Sequence, residues 1–203
     1  MATNGIPTTA QSSERGATAV EDLIRQIQSE DEVIRSKAWQ HAFIAGPGAV
    51  KSLASLMIGT DLEVGRAAKR GLWKIVRHAG RPGADDERAC VVRELLDLLG
   101  DDQPRGVRAE VIWMLSEIGG DESVEPVARL LTNQELREDA RMVLQRIPSA
   151  KSLAALKAAL RAAPEDFKPN IAQSLRHRGV QVPGLPCRKL IPTKKTLVRP
   201  VGR

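Results

Sequence analysis

The sequence predicts an all-α protein, a right-handed α-solenoid of about five helix pairs. Three observations support this prediction. An apolar pattern typical of short amphipathic helices recurs at intervals near 30 residues. Aromatic residues make up only 2% of the 203 residues and tyrosine is absent, which indicates a core of closely packed aliphatic side chains. Valine and isoleucine form no alternating runs of the kind that predicts strands.

The segment from Val107 to Leu131 shows the repeating unit most clearly. Its first helix has apolar residues at offsets 0, 4, 8 and 11, which share a sector of about 80° on the helix surface. Gly119 and Gly120 then interrupt the chain, and a second apolar stripe begins at Val124. Neither helix is long enough to be stable alone in water, so each pair is expected to bury its apolar face against the next pair.

The same offsets occur in five copies. The five sets are Ile34, Ala38, Ala42 and Ala45; Val64, Ala68, Leu72 and Ile75; Val107, Val111, Leu115 and Ile118; Leu136, Ala140, Leu144 and Ile147; and Phe167, Ile171, Leu175 and Arg178. Their starting positions are 30, 43, 29 and 31 residues apart. In the last set an arginine takes the fourth position and polar residues surround it, which is typical of a terminal repeat that faces water.

The interval of 43 residues places an insertion of about 13 residues between the two helices of the second repeat, in the region 77–88. Its expected form is a surface loop, because lengthening such a loop costs little entropy. An insertion on one face of a solenoid also suits a binding role. The acidic run from Asp85 to Glu87 is expected to complement the dipole of the following helix rather than to bind a metal together with His78.

The N-terminal region precedes the first repeat and has no partner before it. Residues 1–16 predict a disordered lead-in. Residues 17–29 predict a capping helix that starts with a capping box at Thr18. Similar boxes precede the second and fourth copies, at Thr60 and Thr132. This helix is expected to cover the N-terminal end of the repeats.

The C-terminal region, residues 180–203, differs in composition from the solenoid, which is predicted over 17–179 with its repeats at 31–178. Four prolines exclude a helix there and no apolar periodicity persists, so the region predicts an extended, basic, Pro-rich arm. It holds six of the 31 basic residues and no acidic residue, which leaves 25 basic and 25 acidic residues in the rest of the chain. The body as a whole is therefore net neutral.

The copies resemble HEAT-like repeats of the short, phycobilisome-lyase type. The resemblance rests on Val107-Arg108, Leu115, Ile118-Gly119-Gly120-Asp121 and Val124, and on Leu136-Arg137, Leu144 and Ile147. It covers roughly residues 31 to 178 and implies a stack of about five HEAT-like helix pairs. Repeats of this kind serve scaffolds, adaptors, chaperones, a few enzymes and some nucleic-acid binders, so the resemblance says more about fold than about activity.

The predicted partner-binding residues lie on the second helices and on the arm. In a HEAT solenoid the second helices conventionally line the concave side, and their polar residues mix both charges, which suits a protein surface. These residues are Lys51, Arg93, Asp97, Glu125, Arg129, Lys157 and Arg161. The partner-binding residues predicted on the arm are Arg188, Lys189, Lys194, Lys195 and Arg199. The predicted function is a non-catalytic adaptor or assembly subunit that binds another protein. The partner is expected to present an acidic surface to the basic arm.

Two alternatives stay open at this point. In the first, the arm binds phosphate groups and the chain is a nucleic-acid-binding HEAT-like protein. In the second, which follows from the family resemblance alone, the chain is a lyase-like or chaperone subunit. Trp39, Trp73 and Trp113 lie outside the main apolar sector and are expected to fill grooves between repeats, although exposed tryptophans would serve as anchors for a partner.

No residue pattern indicates catalysis, a metal or a cofactor. His41, His78 and His177 have no second ligand at metal-binding spacing, and the His-Glu pairs of HEAT-like deoxyhypusine hydroxylases are absent. Cys90 and Cys187 form no disulfide framework, which fits a reducing compartment. Since neither a signal peptide nor a membrane-spanning run is evident, the predicted location is cytoplasmic, with no membrane partner.

Overall fold

The computed structural model describes the backbone of residues 9–187 and the side chains of residues 16–187. This part of the chain forms ten α-helices and no strand: α1 Thr9–Ile27, α2 Glu32–Gln40, α3 Val50–Leu56, α4 Leu62–Ala79, α5 Asp85–Asp97, α6 Arg105–Ile118, α7 Asp121–Arg129, α8 Arg137–Arg146, α9 Ala150–Ala162 and α10 Lys168–His177. A 3-10 segment, Ala42–Ala49, leads into α3, and a 3-10 turn, Leu130–Thr132, follows α7. The predicted all-α solenoid is confirmed.

The helices stack in two layers. Along the first layer α2, α4, α6, α8 and α10 contact one another in that order, and along the second layer α3, α5, α7 and α9 do the same. Each second-layer helix also packs against the first-layer helix of the following repeat. The part of the chain that the structure describes thus contains four complete pairs and, in α10, the first helix of a fifth. The right-handed sense of the stack stays a prediction.

The core consists of aliphatic side chains from both layers. The residues at offsets 4 and 8 are buried in all five copies, as their periodicity predicts. The first position behaves differently in the first copy, where Ile34 is 43% exposed. Its helix stands at the end of the first layer, and the neighbouring α1 buries Leu23 and Ile27 without covering that turn.

Helix α1 begins earlier than predicted. It starts at Thr9, so residues 9–16 are helical and the predicted disordered lead-in over 1–16 is wrong for that part. Residues 1–8 lie outside the described residues. Thr18 lies inside the helix and does not start it, because Ser/Thr-x-x-Glu spacing marks a helix start only where the preceding residues cannot themselves be helical.

Aspartate side chains cap the starts of α2 and α4, and an asparagine makes equivalent hydrogen bonds in the turn that leads into α8. Asp31, Asp61 and Asn133 each accept hydrogen bonds from the backbone N–H groups two and three residues later, at 2.7–3.4 Å. Each cap stands three residues before the first apolar position of its repeat. The boxes predicted at Thr60 and Thr132 therefore mark the correct turns, but the capping side chain is the following residue.

The long interval in the second repeat is mostly helix. Helix α4 continues to Ala79 and α5 begins at Asp85, which leaves only residues 80–84 between them. The predicted surface loop over 77–88 is wrong, because Ala79 and Ala84 are buried and the added turns extend the packing. The acidic run does stand in the first turn of α5, where it complements the helix dipole.

Arginines from neighbouring segments bind the carbonyl groups at the C-terminal ends of α1, α4, α6 and α8. These arginines are Arg35, Arg81, Arg88 and Arg178. Their guanidinium groups donate at 2.6–2.8 Å to backbone oxygens that a helix end leaves without intrahelical partners. The arginine at the fourth position of the last copy is thus a contact between repeats, and the prediction that it faces water is wrong.

The first residues of the predicted arm lie on the solenoid. Gly179 has φ of +77°, and the N–H of Val180 donates to the carbonyl of Leu175 at 2.9 Å, which closes α10 in a Schellman-type turn. Val180 and Val182 then pack against the core. Residues 188–203 lie outside the described residues.

Candidate functional site

The predicted helical site residues all lie on the second layer, and all seven are exposed. We call Lys51, Arg93, Asp97, Glu125, Arg129, Lys157 and Arg161 the second-helix surface. Because α3, α5, α7 and α9 contact one another in order, these side chains belong to one row of four helices. The five predicted arm residues, Arg188, Lys189, Lys194, Lys195 and Arg199, lie outside the described residues.

Lys51 is held by two carboxylates of the neighbouring helix. Its Nζ lies 2.7 Å from Oδ2 of Asp97 and 3.2 Å from Oε2 of Glu94. The hydrogen bond to Asp97 and, next, that to Glu94 raise the pKa of the Lys51 ammonium above its ordinary value. These contacts link α3 to α5 and neutralise the charge of Lys51. Lys51 therefore needs no external partner for its charge.

Three other cations of the second-helix surface carry charge that the described part of the chain does not neutralise. Glu125 and Arg129 form an exposed pair at 2.6 Å along one helix, a geometry that contributes about 0.3–0.5 kcal/mol. Among residues 16–187, no carboxylate lies within 4.0 Å of Arg93, Lys157 or Arg161. These three cations are therefore available to an external partner.

A second charged surface lies on the outer side of the first layer. We call it the α4 basic face; it consists of Arg66, Lys69, Arg70, Lys74 and Arg77 together with the indoles of Trp39 and Trp73. These side chains line an open cleft of about 300 Å³, and no carboxylate contributes to its lining. Helix α4 contains five Lys and Arg residues and one acidic residue, so it is strongly basic within a body that is neutral as a whole.

The sequence contains the signal for this face. Arg66, Arg70, Lys74 and Arg77 have the offsets 0, 4, 8 and 11, the same as the apolar set that starts at Val64 but two residues later. Two residues correspond to about 200° of rotation, so the basic residues emerge opposite the buried side. Sequence reasoning missed them because it counted charge over the whole body.

The two tryptophans support the cations of this face. The guanidinium of Arg70 lies 5.5 Å from the ring centroid of Trp39, and the ammonium of Lys74 lies 5.9 Å from the same centroid. The guanidinium of Arg77 lies 5.2 Å from the centroid of Trp73. Both indoles are half-buried and pack against the core, so they fill grooves as predicted and also carry exposed charge on their outer sides.

Only part of the α4 basic face is neutralised. Glu110 of α6 accepts from Nε1 of Trp73 at 2.5 Å and lies 2.6 Å from Nζ of Lys69. Arg66 pairs with a glutamate of its own first turn at 2.7 Å. Within residues 16–187, no carboxylate lies within 4.0 Å of the remaining three cations of the face.

No site for metal chemistry is evident in the described part. Residues 16–187 bring together no group of three His, Cys, Asp or Glu side chains that suits a metal ion. The ring of His78 packs on Phe43 with centroids 4.6 Å apart, and its Nε2 lies 4.0 Å from Glu87. Among the described helices, none combines the length and apolar character needed to cross a bilayer.

Comparison with known proteins identifies the repeats. Residues 92–176, from α5 to α10, match the family described as HEAT repeats. This part of the chain is similar to HEAT repeats. Repeats of this class generally mediate protein–protein interactions, and their solenoids are typical of non-catalytic scaffolds.

Solved structures similar to this chain include two designed armadillo repeat proteins. One, in complex with the peptide (KR)4, is 19% identical with a TM-score of 0.44, and the match covers 82% of this chain and 84% of that chain. The other is 14% identical with a TM-score of 0.30, and the match covers 78% and 99%. No curated protein matches the chain.

Proposed function

We propose that this HEAT-like repeat protein is a non-catalytic scaffold or adaptor that binds another protein through the second-helix surface, with the basic arm as a second contact. The observation that supports it is the row of four second-layer helices on which Arg93, Lys157 and Arg161 stand exposed without a carboxylate partner among residues 16–187. An interface that includes such charges gains specificity and association rate from a partner of opposite charge.

The dimensions of the row suit a protein partner. Neighbouring packed helices lie about 8–10 Å apart, so three intervals between four helices span about 25–30 Å. A stable protein–protein interface takes about 800 Å² from each partner, which a patch of that width accommodates. The paired residues Glu125 and Arg129 would then form part of a polar rim, while the three unpaired cations contact the acidic part of the partner.

The arm would add its charge at one end of this row. Residues 180–187 pack on α10, which fixes the point from which the basic residues Arg188 to Arg199 continue. The two cysteines of the chain are free, in keeping with a reducing, cytoplasmic setting. No contact among the described residues adds to the lyase-like or chaperone alternative.

The test is affinity capture from native lysate with three forms of the protein: the full chain, residues 1–187, and the full chain with Arg93→Glu, Lys157→Glu and Arg161→Glu. Ending the shortened form at Cys187 keeps Val180 and Val182, which pack against the core, and removes only the basic residues that follow. Helical circular dichroism of each form serves as the folding control.

We expect the full chain to capture a protein, and this capture should survive nuclease treatment. The truncated form should capture less of that protein, and the triple variant should capture none. Capture of nucleic acid alone, abolished by nuclease or by removal of the arm, would replace the proposal with the nucleic-acid alternative. Identical capture by all three forms would overturn the proposed surface.

A further inference from the structure

We propose that the α4 basic face is a docking site for an acidic segment of a partner protein, in which Asp or Glu side chains recur about one helical turn apart. This surface belongs to the first layer, whereas the scaffold role argued above uses the second layer. The two proposals therefore depend on different residues and fail separately.

Charge complementarity selects an anionic partner. The cleft lining contains five cations, two indoles and no carboxylate. Arg70, Lys74 and Arg77 have no carboxylate within 4.0 Å among residues 16–187, so this part of the chain leaves their charge unneutralised. Solvent-exposed like charges on one helix face repel one another, and an acidic ligand would relieve that repulsion.

The cations are already ordered before a ligand arrives. Arg70 and Lys74 lie over the ring of Trp39, and Arg77 lies over the ring of Trp73, at 5.2–5.9 Å from the ring centroids. Restricting these long side chains in advance reduces the entropy that binding must otherwise remove. Tryptophan and arginine are also the residue types that most often dominate the binding energy of protein interfaces.

The spacing of the cations matches carboxylates on a regular peptide. Arg66, Arg70 and Lys74 stand on successive turns, and the helix pitch places such residues about 5–6 Å apart. From Arg66 to Arg77 the face extends for about 16 Å along the helix axis. Three or four acidic side chains at positions i, i+4, i+8 and i+11 of a partner helix would span the same length.

The geometry favours a protein segment over a nucleic acid. Binding of single strands relies on bases that stack on open aromatic faces, but the outer side of each indole here already carries a cation. Glu63 and Glu110 stand beside Arg66 and Lys69, where they would repel a continuous phosphate backbone.

The test uses fluorescence anisotropy with three labelled probes and the full chain. The probes are a helical peptide of about 16 residues with glutamate on one face, the same peptide with glutamine in place of glutamate, and an oligothymidylate of similar length. The variant is Arg70→Gln with Lys74→Gln and Arg77→Gln. Its matched control is Arg105→Gln with Arg146→Gln and Lys151→Gln, which removes the same charge from three exposed cations that lie outside both the α4 basic face and the second-helix surface.

The glutamate peptide is expected to bind and the glutamine peptide to bind at least about tenfold more weakly. The α4 variant should lose about tenfold or more in affinity, whereas the matched control stays within about twofold of the parent. Absence of glutamate-peptide binding, or an equal loss in both variants, would overturn the proposal. Tighter binding of the oligothymidylate, lost in the α4 variant, would overturn it in favour of a nucleic acid.

The substitutions on the α4 basic face are expected to leave the fold intact. All three substituted residues of the α4 basic face are exposed, so helical circular dichroism is expected to be unchanged. If the triple variant loses helix, Lys74→Gln alone carries the test, with an expected loss of about threefold. Full affinity in a folded Lys74→Gln variant would then overturn the proposal.

Discussion

Replacing Arg178 with alanine should destabilise the last two repeats. Its Nη1 lies 2.7 Å from the carbonyl oxygen of Ile147, 3.0 Å from the hydroxyl of Ser152 and 3.2–3.3 Å from two carbonyl oxygens of the last turn of α8. Its Nη2 donates to the carbonyl of Ser149 at 3.0 Å. One side chain thus joins α10 to the end of α8 and the start of α9.

The magnitude follows from these contacts. The two nitrogens carry enough hydrogens for about three good hydrogen bonds, and each bond to a charged donor contributes about 1.5–3 kcal/mol when removed from a buried site. Because Arg178 is half-buried, water replaces part of what is lost, and a decrease of about 2–4 kcal/mol in the free energy of unfolding is expected. Arg178→Lys should recover at most about half of it, since a single ammonium cannot reach both groups of acceptors.

The assay is urea unfolding followed in parallel by helical circular dichroism and by tryptophan fluorescence. Trp39, Trp73 and Trp113 belong to α2, α4 and α6, so fluorescence reports on the first half of the stack. Repeats interact mainly with their neighbours, so Arg178→Ala should lower the circular-dichroism midpoint more than the fluorescence midpoint. The control is Arg161→Ala, an exposed arginine without a carboxylate partner among residues 16–187, with an expected change below about 0.5 kcal/mol. A loss under about 1 kcal/mol in Arg178→Ala would show that these hydrogen bonds do not hold the last two repeats together.

Two further predictions concern stability. Hydrogen bonds from Arg141 lower the pKa of Glu138 below 4.5, so the stability from this contact is complete above pH 4.5 and is lost as the pH falls through the lowered value. The unfolding free energy of Glu138→Gln should therefore fall less steeply below pH 4.5 than that of the parent, and equal slopes would contradict the linkage. A Cβ at residue 119 would stand 2.5 Å from the carbonyl oxygen of Leu115, so Gly119→Ala should cost about 1–3 kcal/mol in urea unfolding. Its control, Gly106→Ala, meets nothing within 4 Å inside α6 and should be neutral or slightly stabilising, and an equal loss in both would refute the steric cause.

The architecture was predictable because it depends on local periodicity. Offsets 4 and 8 mark buried side chains in every copy, from Ala38 to Leu175, and the order of the layers follows from stacking identical units. What periodicity does not specify is where a helix begins. Helix α1 begins at Thr9 and not at Thr18, and a capping-box spacing could not reveal this because it also occurs within helices. The side chains that bond the backbone before α4 and α8, Asp61 and Asn133, lie one residue after the threonines expected to do so.

The contacts between repeats were not predictable from the sequence alone. The position of Arg178 in the pattern was evident, but its acceptors lie 26–34 residues earlier in the chain and become neighbours only in the stack. The α4 basic face was predictable only in part. Its cations follow a readable helical pattern, whereas their support by Trp39 of α2 requires the packing of two helices. The arm residues from Arg188 onward stay a prediction.

Site-specific photo-crosslinking can test whether the row of second-layer helices contacts a protein partner. Photoreactive benzoylphenylalanine would replace Arg93 on α5 or Arg161 on α9, both exposed, with replacement of Arg146 on the first layer as the control. After irradiation in native lysate, adducts would be identified by mass spectrometry. If this contact exists, positions 93 and 161 will crosslink to the same protein and position 146 will not. Absence of adducts from both second-layer positions, or equal adducts from position 146, would contradict it.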